Sequence, residues 1–238
     1  AHVSQCLRRE LSELIPLPET KLKSGTVLVV GLGNRGVTPD SLGPRVAERV
    51  FVTRHIKEHM PEAFDFDIPS VCAIAPGGLG VTGVETMDIV FGVANKVKPD
   101  LIIAVDALAS RRAARISTTI QLSDSGISPG SGVGNTRADL SRANLGVPVI
   151  AVGVPLVVYA STISQDTISL IADETGLHGD EERLRELAEQ VIAKHMGDFI
   201  VTPKDIDVIV EDMAGIIANA INSALFGNNL EQVRNMLA

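Results

Sequence analysis

Asp40 and Asp106 are the residues of this sequence whose type and spacing could perform chemistry together. The apolar run Thr26–Val30 precedes Asp40 by a short glycine-rich turn, and the run Leu101–Val105 leads directly into Asp106. Such β-branched apolar runs are typical of strands buried in a parallel sheet. Because right-handed β-α-β units bring the carboxyl ends of their strands to one edge, we expect both carboxyl groups in a crevice there.

Two neighbouring carboxyl groups can hydrolyse an amide bond without a nucleophilic side chain. Carboxylates about 4 Å apart, at an effective dielectric constant of about 20, repel by roughly 4 kcal/mol, which separates their ionisations by about three pK units. One carboxyl then stays protonated as an acid while its partner acts as a base on a water molecule. Either aspartate can take either role, and the apparent pKa values belong to the pair.

Other interpretations of the same residues are structural or concern a cofactor. Residues 31–36 match the Gly-x-Gly-x-x-Gly spacing of dinucleotide-binding proteins. We reject this interpretation because Val37–Pro39 delays the following helix and the next predicted strand does not end in an acidic residue. The structural alternatives are a helix cap for Asp40 and a turn residue for Asp106.

Two glycine-rich segments are candidates for substrate binding. Gly77 and Gly78 follow the second predicted strand, and Gly130, Ser131 and Gly132 lie in the loop Ser123–Asn135. This loop is longer than a connection requires; such loops are often functional, and a mobile surface loop is the alternative. Backbone N–H groups of these segments could bind the oxyanion formed during hydrolysis. We expect the long loop to border the crevice.

The remaining pattern alternates strands with helices. Short apolar runs predict strands over residues 26–30, 71–75, 101–105, 116–122 and 149–154. Apolar spacing predicts helices over residues 3–15, about 40–60, about 82–98, about 157–172, 180–195 and 203–226. Thr82 and Glu85 form a predicted capping box, and acidic residues such as Glu211 in the last helix are expected to be solvated. This order predicts one α/β domain over residues 1–238.

Composition limits the classes of partner. The formal net charge of −8 and a pI near 5.1 oppose a basic surface for nucleic acid or membrane. With 3% aromatic residues and no Trp, the chain lacks stacking platforms for bases. No long apolar span or leader pattern is present, which predicts a soluble intracellular protein. Cys6 and Cys72 lack the spacing of a zinc or redox site, so we expect buried free thiols.

Six segments, in the same order, resemble the bacterial spore germination protease family. They are VVGLGN (29–34), VTPDSLGP (37–44), VTRH (52–55), DALA (106–109), GSGVGN (130–135) and VTPK (201–204). The similarity runs from about residue 5 to residue 226. It implies an atypical aspartic endopeptidase that degrades small acid-soluble spore proteins when a spore germinates, and the family's two essential aspartates fall on Asp40 and Asp106.

The resemblance also implies an architecture and a cellular setting. The expected fold is a three-layer α/β/α sandwich related to the hydrogenase maturation proteases. The expected assembly is a homotetramer in the cytoplasm of the spore core, without a cofactor. The family's full chain carries an upstream segment, part of which is removed when the zymogen matures. We expect this segment to be missing here, with consequences for zymogen control and substrate binding.

Two other functions remain alternatives for the same crevice. In a metal-dependent maturation-type peptidase, Asp40 and Asp106 would bind a divalent ion together with a further ligand, commonly histidine. No histidine lies between Asp106 and His178, and His178 belongs to the helical tail, which argues against a metal site. The second alternative is a catalytically impaired relative that only binds protein. Retention of both aspartates argues against it.

Overall fold

The computed structural model of the protein describes residues 2–63, 66–128, 139–176, 181–195 and 199–237. Its strands are β1 (Thr26–Gly31), β2 (Ser70–Ile74), β3 (Leu101–Ser110), β4 (Gln121–Ser123), β5 (Val149–Tyr159) and β6 (Ile200–Val201). Its helices are α1 (His2–Leu14), α2 (Glu19–Ser24), α3 (Leu42–Ala47), α4 (Arg54–His59), α5 (Leu79–Thr82), α6 (Thr86–Val97), α7 (Arg142–Leu145), α8 (Ala160–Thr175), α9 (Glu181–His195), α10 (Ile206–Phe226) and α11 (Leu230–Leu237). Short 3-10 helices span Thr38–Asp40, Pro61–Ala63, Ala113–Arg115 and Gly227–Asn229.

These strands form one mixed sheet in the order β2-β1-β3-β5-β4, and β6 also pairs with β5. β1 runs parallel to both β2 and β3, and β3 runs parallel to β5. β4 and β6 run antiparallel to β5. The predicted mostly parallel sheet is therefore confirmed.

Each face of the sheet packs against its own layer of helices. Val27 and Val29 of β1 belong to the apolar cluster that includes residues of α1, α3 and α10. Leu28 and Val30 alternate with them and pack in a second cluster with Val90 of α6. Since successive strand side chains point to opposite faces, the sheet is buried on both sides. This is the expected three-layer α/β/α sandwich.

The helix predicted over about residues 40–60 is interrupted, and α3 and α4 stand in its place. Asn222 of α10 bonds to the backbone at the interruption. Its side-chain amide donates to the carbonyl oxygen of Arg49 at 3.1 Å, and its side-chain oxygen accepts from the backbone N–H of Phe51 at 2.9 Å. These bonds satisfy backbone groups that a continuous helix would pair internally.

Two strands are longer than predicted. β3 continues to Ser110 and β5 to Tyr159, beyond the predicted ends at Val105 and Val154. The two strands pair with each other over this additional length, which satisfies their backbone groups in extended form. The helix predicted from about residue 157 therefore begins later, as α8. β6, which the sequence did not predict, pairs with the end of β5.

Two local predictions are wrong. The strand predicted over residues 116–122 is reduced to β4, because residues 113–115 form a 3-10 helix and a turn follows them. The capping box of Thr82 and Glu85 does not form, because Thr82 ends α5 and Gly83 then adopts a left-handed φ of 71°. Glu85 occupies the N-cap position of α6 without a side-chain capping bond.

The helical stretch Ile206–Leu237 is long and apolar enough to cross a membrane by length and composition, with a mean hydropathy of 1.3 in its most apolar window. However, Val210, Ile217 and Ile221 of α10 are fully buried in the cluster that covers one face of the sheet. The role of α10 as a core helix accounts for its apolar composition.

Candidate active site

Asp40 closes a 3-10 turn between β1 and α3. Its backbone N–H donates to the carbonyl oxygen of Val37 at 2.9 Å, and its carboxylate Oδ2 accepts from the backbone N–H of Asn34 at 2.7 Å. The N-cap position of α3 is occupied by Ser41. The Asp40 carboxylate therefore fastens the turn to the loop that leaves β1, and the alternative of a cap on α3 is wrong.

Burial raises the pKa of the Asp40 carboxyl above its ordinary value, because a less hydrated environment disfavours the charged form. The hydrogen bond from Asn34 lowers this pKa and is the smaller of the two effects. Asp40 therefore retains its proton to a higher pH than an exposed aspartate does. This property suits a group that transfers protons.

Asp106 lies inside β3, where the sequence predicted that the strand had already ended. It is 5% exposed, and its Oδ1 accepts a hydrogen bond from the backbone N–H of Ala107 at 2.9 Å. Gly31, the last residue of β1, pairs with Val105. Asp106 is thus one residue past the carboxyl end of the neighbouring strand, although its own strand continues.

The structural elements that carry the two aspartates contact each other. The 3-10 helix Thr38–Asp40 packs against β3 and β5. The N–H of Leu32 donates to the carbonyl oxygen of Val105 at 2.8 Å, which continues the β1–β3 pairing towards Asp106. Side-chain alternation places Asp106 on the sheet face that packs against α6. Both aspartates therefore lie near the carboxyl end of β1.

Gly77 and Gly78 lie just past the end of β2, at the same edge of the sheet. The carbonyl oxygen of Gly77 accepts from Thr86 Oγ1 at 3.0 Å, and that of Gly78 accepts from the N–H of Val81 at 2.9 Å. Within the described ranges, the N–H groups of the two glycines donate no hydrogen bond, and the space around a β-carbon at Gly78 is open to 4 Å. These N–H groups are available to a ligand.

The loop predicted over Ser123–Asn135 is described only at its base, and Gly130, Ser131 and Gly132 lie outside the described residues. Ile127 and Leu140 pair across this base, with N–H to carbonyl distances of 3.0 and 2.8 Å. Leu140 is fully buried in the same cluster as Leu32, which follows β1. The base of the loop therefore packs on the α6 face of the sheet, the face to which side-chain alternation assigns Asp106.

The described residues also include side chains of the types that bind metal ions and two cysteine thiols. Among the described residues, no three His, Cys, Asp or Glu side chains form a group that could hold a metal ion. Cys72 is half-buried, and burial raises the pKa of its thiol. Cys6 is exposed because the inward face of α1 is formed by Leu7 and Leu11, so the prediction of a buried thiol is wrong at this position.

Three residues beside the Asp40 turn were not predicted as part of the site: Ser41, Arg45 and Glu211. Ser41 is fully buried, and Arg45 hydrogen-bonds to both Ser41 and Glu211. The spacing of Ser41 and Arg45 by one helical turn is a signal that could have indicated their contact. Glu211 comes from α10 and was expected to be solvated; no local signal in the sequence connects it to this turn.

The family model for germination proteases matches residues 1–183 and 175–236 of the chain. The germination protease of Clostridium acetobutylicum is 47% identical over 237 residues, which cover 94% of this chain and 72% of the relative. The germination protease of Caldanaerobacter subterraneus subsp. tengcongensis is 47% identical in an alignment that covers 99% of this chain and 75% of the relative.

Among solved structures, the NiFe hydrogenase maturation protease HycI of Thermococcus kodakarensis is similar with a TM-score of 0.44 and 18% identity. The similarity covers 89% of this chain and 97% of that protein. It is too distant to support an argument about activity. The family model and the sequence relatives decide the question: the chain belongs to the germination protease family, a group of peptidases that act in spore germination.

Proposed function

We propose that this chain is an aspartic-type endopeptidase that hydrolyses small acid-soluble spore proteins, with Asp40 and Asp106 as its acid/base pair. The observation that supports this most strongly is the contact between the 3-10 helix of Asp40 and the strand of Asp106. The contact lies at the carboxyl ends of parallel strands, where open α/β sheets usually bind ligands. The retained pair also favours an active enzyme over a relative that only binds protein.

In the proposed mechanism, Asp106 acts as the base and Asp40 as the acid. A water molecule gives a proton to the Asp106 carboxylate while its oxygen attacks the carbonyl carbon of the peptide bond. The protonated Asp40 carboxyl donates its proton to the carbonyl oxygen. The tetrahedral intermediate then collapses, the C–N bond breaks, and the leaving nitrogen receives a proton from the pair. The raised pKa of Asp40 supports its assignment as the group that first holds the proton.

The carbonyl oxygen gains negative charge before it takes the proton from Asp40, and the N–H groups of Gly77 and Gly78 are the proposed hydrogen-bond donors to it. The carbonyl group of Gly77, which shares its peptide unit with the N–H of Gly78, is already engaged and fixes the orientation of that unit, while both N–H groups remain available in the described part of the chain. Fixed donors of this kind stabilise a transition state without reorganisation during the reaction. Gly130, Ser131 and Gly132 are proposed to contact the substrate from the long loop.

The proposed substrate and setting are consistent with the charge of the chain. A net charge of −8 attracts basic, flexible protein segments more readily than anionic ones. We place the enzyme in the cytoplasm of the spore core, as one domain that assembles into a homotetramer. The proposed reaction requires neither a metal ion nor a cofactor.

The test is cleavage of a purified small acid-soluble spore protein by the wild type, Asp40→Asn and Asp106→Asn. Each substitution removes a proton-transfer group at nearly constant size, so kcat/KM should fall by about 10²–10⁴-fold while the circular dichroism spectrum is retained. Asp88→Asn is the matched control, because Asp88 is exposed on α6 and should tolerate the change. A chelator should not alter the wild-type rate.

Each contrary result points to a specific alternative. Normal cleavage by either aspartate variant would remove that residue from the mechanism. Loss of the wild-type activity in the chelator, restored by a divalent ion, would establish the metal-dependent alternative. Substrate binding without cleavage by the wild type would identify a binding protein.

A further inference from the structure

A chain of polar contacts connects the Asp40 turn to α10. The chain begins at Ser41, which is fully buried beside Asp40. Ser41 Oγ donates to the carbonyl oxygen of Thr38 at 2.8 Å and accepts from Arg45 Nε at 3.1 Å. The backbone N–H of Ser41 also donates to Thr38, at 3.1 Å. The hydroxyl of Ser41 therefore holds the first residue of the 3-10 helix that ends at Asp40.

Arg45 extends these contacts across the helical layer. While its Nε donates to Ser41, its Nη1 donates to Glu211 Oε2 of α10 at 2.7 Å. The second oxygen of Glu211 accepts from Arg49 Nη2, and Arg49 Nη1 donates to the carbonyl oxygen of Arg45 at 3.0 Å. Glu211 thus accepts hydrogen bonds from the guanidinium groups of Arg45 and Arg49, which both follow the Asp40 turn. A planar guanidinium with several fixed donors is suited to bridge two acceptors in this way.

The solvent exposure of Arg45 and Glu211 distinguishes between two roles for these residues, which are stabilising the fold and orienting Asp40. The side chains of Arg45 and Glu211 are 38% and 49% exposed. Ion pairs with this exposure contribute little to the stability of a fold. In contrast, the position of a catalytic group is sensitive, since a displacement of about 1 Å can reduce a rate by about 10²-fold. The expected consequence of losing the contacts is therefore a loss of rate with little loss of stability.

We propose that Ser41 and Arg45 are positioning residues, which hold the Asp40 turn in its reactive orientation by linking it to Glu211 on the core helix α10. This inference rests on the proposed role of Asp40 as a member of the acid/base pair. Neither Ser41 nor Arg45 contacts the substrate in this account. Both act through the 3-10 helix Thr38–Asp40.

The test measures kcat and KM separately for Ser41→Ala, Arg45→Met and Arg45→Lys, with the spore protein as substrate. For Ser41→Ala and Arg45→Met we expect kcat to fall by about 10–100-fold, with KM unchanged within about twofold. The thermal midpoint of Arg45→Met should change by less than about 4 °C, because its ion pair with Glu211 is exposed. Arg45→Lys keeps the charge but cannot bridge Ser41 and Glu211 with fixed donors, so its kcat should resemble that of Arg45→Met.

The matched control is Arg234→Met on α11. Arg234 pairs with Glu231 at 2.8 Å and has a side-chain exposure of 48%, similar to that of Arg45. Within the described residues it makes no hydrogen bond or ion pair with the Asp40 turn, and it lies in another element, so its loss should leave kcat unchanged. A fall in kcat equal to that of Arg45→Met would show that removal of any exposed arginine pair affects the assay.

The pH profile of kcat distinguishes a positioning role from a purely structural one, which would leave this profile unchanged. A looser turn would hydrate the Asp40 carboxyl and bring its pKa back towards the ordinary value, so the limb of the kcat profile governed by Asp40 should move to lower pH in Ser41→Ala. The charged groups on the packed elements are Asp106 on β3, Arg45 on α3 with Arg49 just after it, and Asp207, Glu211 and Asp212 on α10. None of these is changed in Ser41→Ala.

Three contrary results can be told apart. If Asp40→Asn is inactive while Ser41→Ala and Arg45→Met keep the wild-type kcat and pH profile, the positioning role is wrong and the acid/base pair stands. Full activity of Arg45→Lys would replace the bridging role by a simple effect of charge. If Asp40→Asn keeps the wild-type rate, the acid/base pair itself is wrong, and the positioning role falls with it.

Discussion

Gly43 of α3 lies directly against the backbone of Leu32 at the end of β1. A β-carbon at position 43 would stand 2.5 Å from the backbone nitrogen of Leu32 and 2.5 Å from the carbonyl oxygen of Val105. Both distances are far shorter than any ordinary contact of a β-carbon, and the atoms belong to the hydrogen-bonded pairing of β1 with β3. The close approach of α3 to the strands therefore fixes both ends of the loop that carries Asp40.

Gly43→Ala should consequently damage both stability and activity. The added methyl group meets backbone atoms that cannot rotate away, so we expect a loss of about 3 kcal/mol or more in the free energy of unfolding. Helix α3 would move away from the strand ends, and the Asp40 turn would move with it, so cleavage should fall by at least about 100-fold. Urea denaturation and the spore protein assay measure the two effects.

Gly92→Ala on α6 is the control for this prediction. Nothing lies within 4 Å of a β-carbon at Gly92, and alanine favours a helix over glycine by about 1 kcal/mol. This variant should be slightly more stable than the wild type and equally active. A Gly43→Ala protein as stable as Gly92→Ala would show that α3 does not pack so closely on the strands.

Asn222→Ala should destabilise the protein by about 2–4 kcal/mol. Asn222 is 3% exposed, and its loss leaves the carbonyl oxygen of Arg49 and the N–H of Phe51 without their partner. Asn144→Ala is the control, because Asn144 is exposed and its bond to Asp139 can be replaced by water; its effect should stay within about 0.5 kcal/mol. Equal midpoints of the two variants in urea would contradict the assigned role of Asn222.

The positions of the buried strands of this fold were accessible from the sequence because β1 and the first half of β3 are continuous apolar runs. The lengths of the strands and the interruption of the helix were less predictable, since they depend on residues that are distant in the sequence. β3 and β5 extend past their predicted ends because they pair with each other. The helix after Asp40 breaks because a side chain 171 positions away bonds to its backbone. Neither cause is visible in a local window.

The candidate site was likewise predictable where the signal is local and not predictable where it depends on tertiary packing. Asp40 and Asp106 were predicted as site residues because each follows an apolar run. Gly77 and Gly78 were predicted because they follow the second predicted strand. The hydrogen bond between Asn34 and Asp40 was not predictable, because it requires the 3-10 turn that the sequence suggested only as the start of a helix. Proximity of α10 to that turn is likewise a property of the tertiary packing.

The pH dependence of the free energy of unfolding should reflect the raised pKa of the buried Asp40 carboxyl. Its pKa in the folded protein lies above the ordinary value of 3.8, so between these two pKa values the folded state binds more protons than the unfolded state. Its contribution to the free energy of unfolding therefore falls as the pH rises through this window. Asn cannot ionise, yet it keeps an oxygen for the N–H of Asn34.

The stabilisation of Asp40→Asn relative to the wild type should accordingly grow as the pH rises above 3.8 and level off once the pH exceeds the raised pKa of Asp40 in the folded protein. Urea denaturation at several pH values measures this difference at constant ionic strength. A difference that shrinks with rising pH would mean that the folded protein stabilises the ionised carboxylate, which would reverse the direction of the pKa shift and weaken the assignment of Asp40 as the acid.

Substrate contact at the glycine segments should appear in hydrogen exchange. The N–H groups of Gly77 and Gly78 have no acceptor within the described ranges, so they should exchange rapidly in the free protein and slow down when they donate to a bound peptide. The inactive Asp106→Asn variant, saturated with a small acid-soluble spore protein, provides the bound state. Exchange in α11 serves as the internal reference and should not change.

The same experiment tests the loop Ser123–Asn135, which we predict to gain protection together with the two glycines. Its base is fixed by the pairing of Ile127 with Leu140, and Leu140 packs in the cluster of Leu32, so the loop leaves the fold on the α6 face of the sheet. A peptide held along the carboxyl ends of the strands would contact both segments. Protection of Gly77 and Gly78 without protection of the loop would confine substrate binding to the β1–β2 side of the site, whereas protection of neither segment would move the binding surface away from this edge of the sheet.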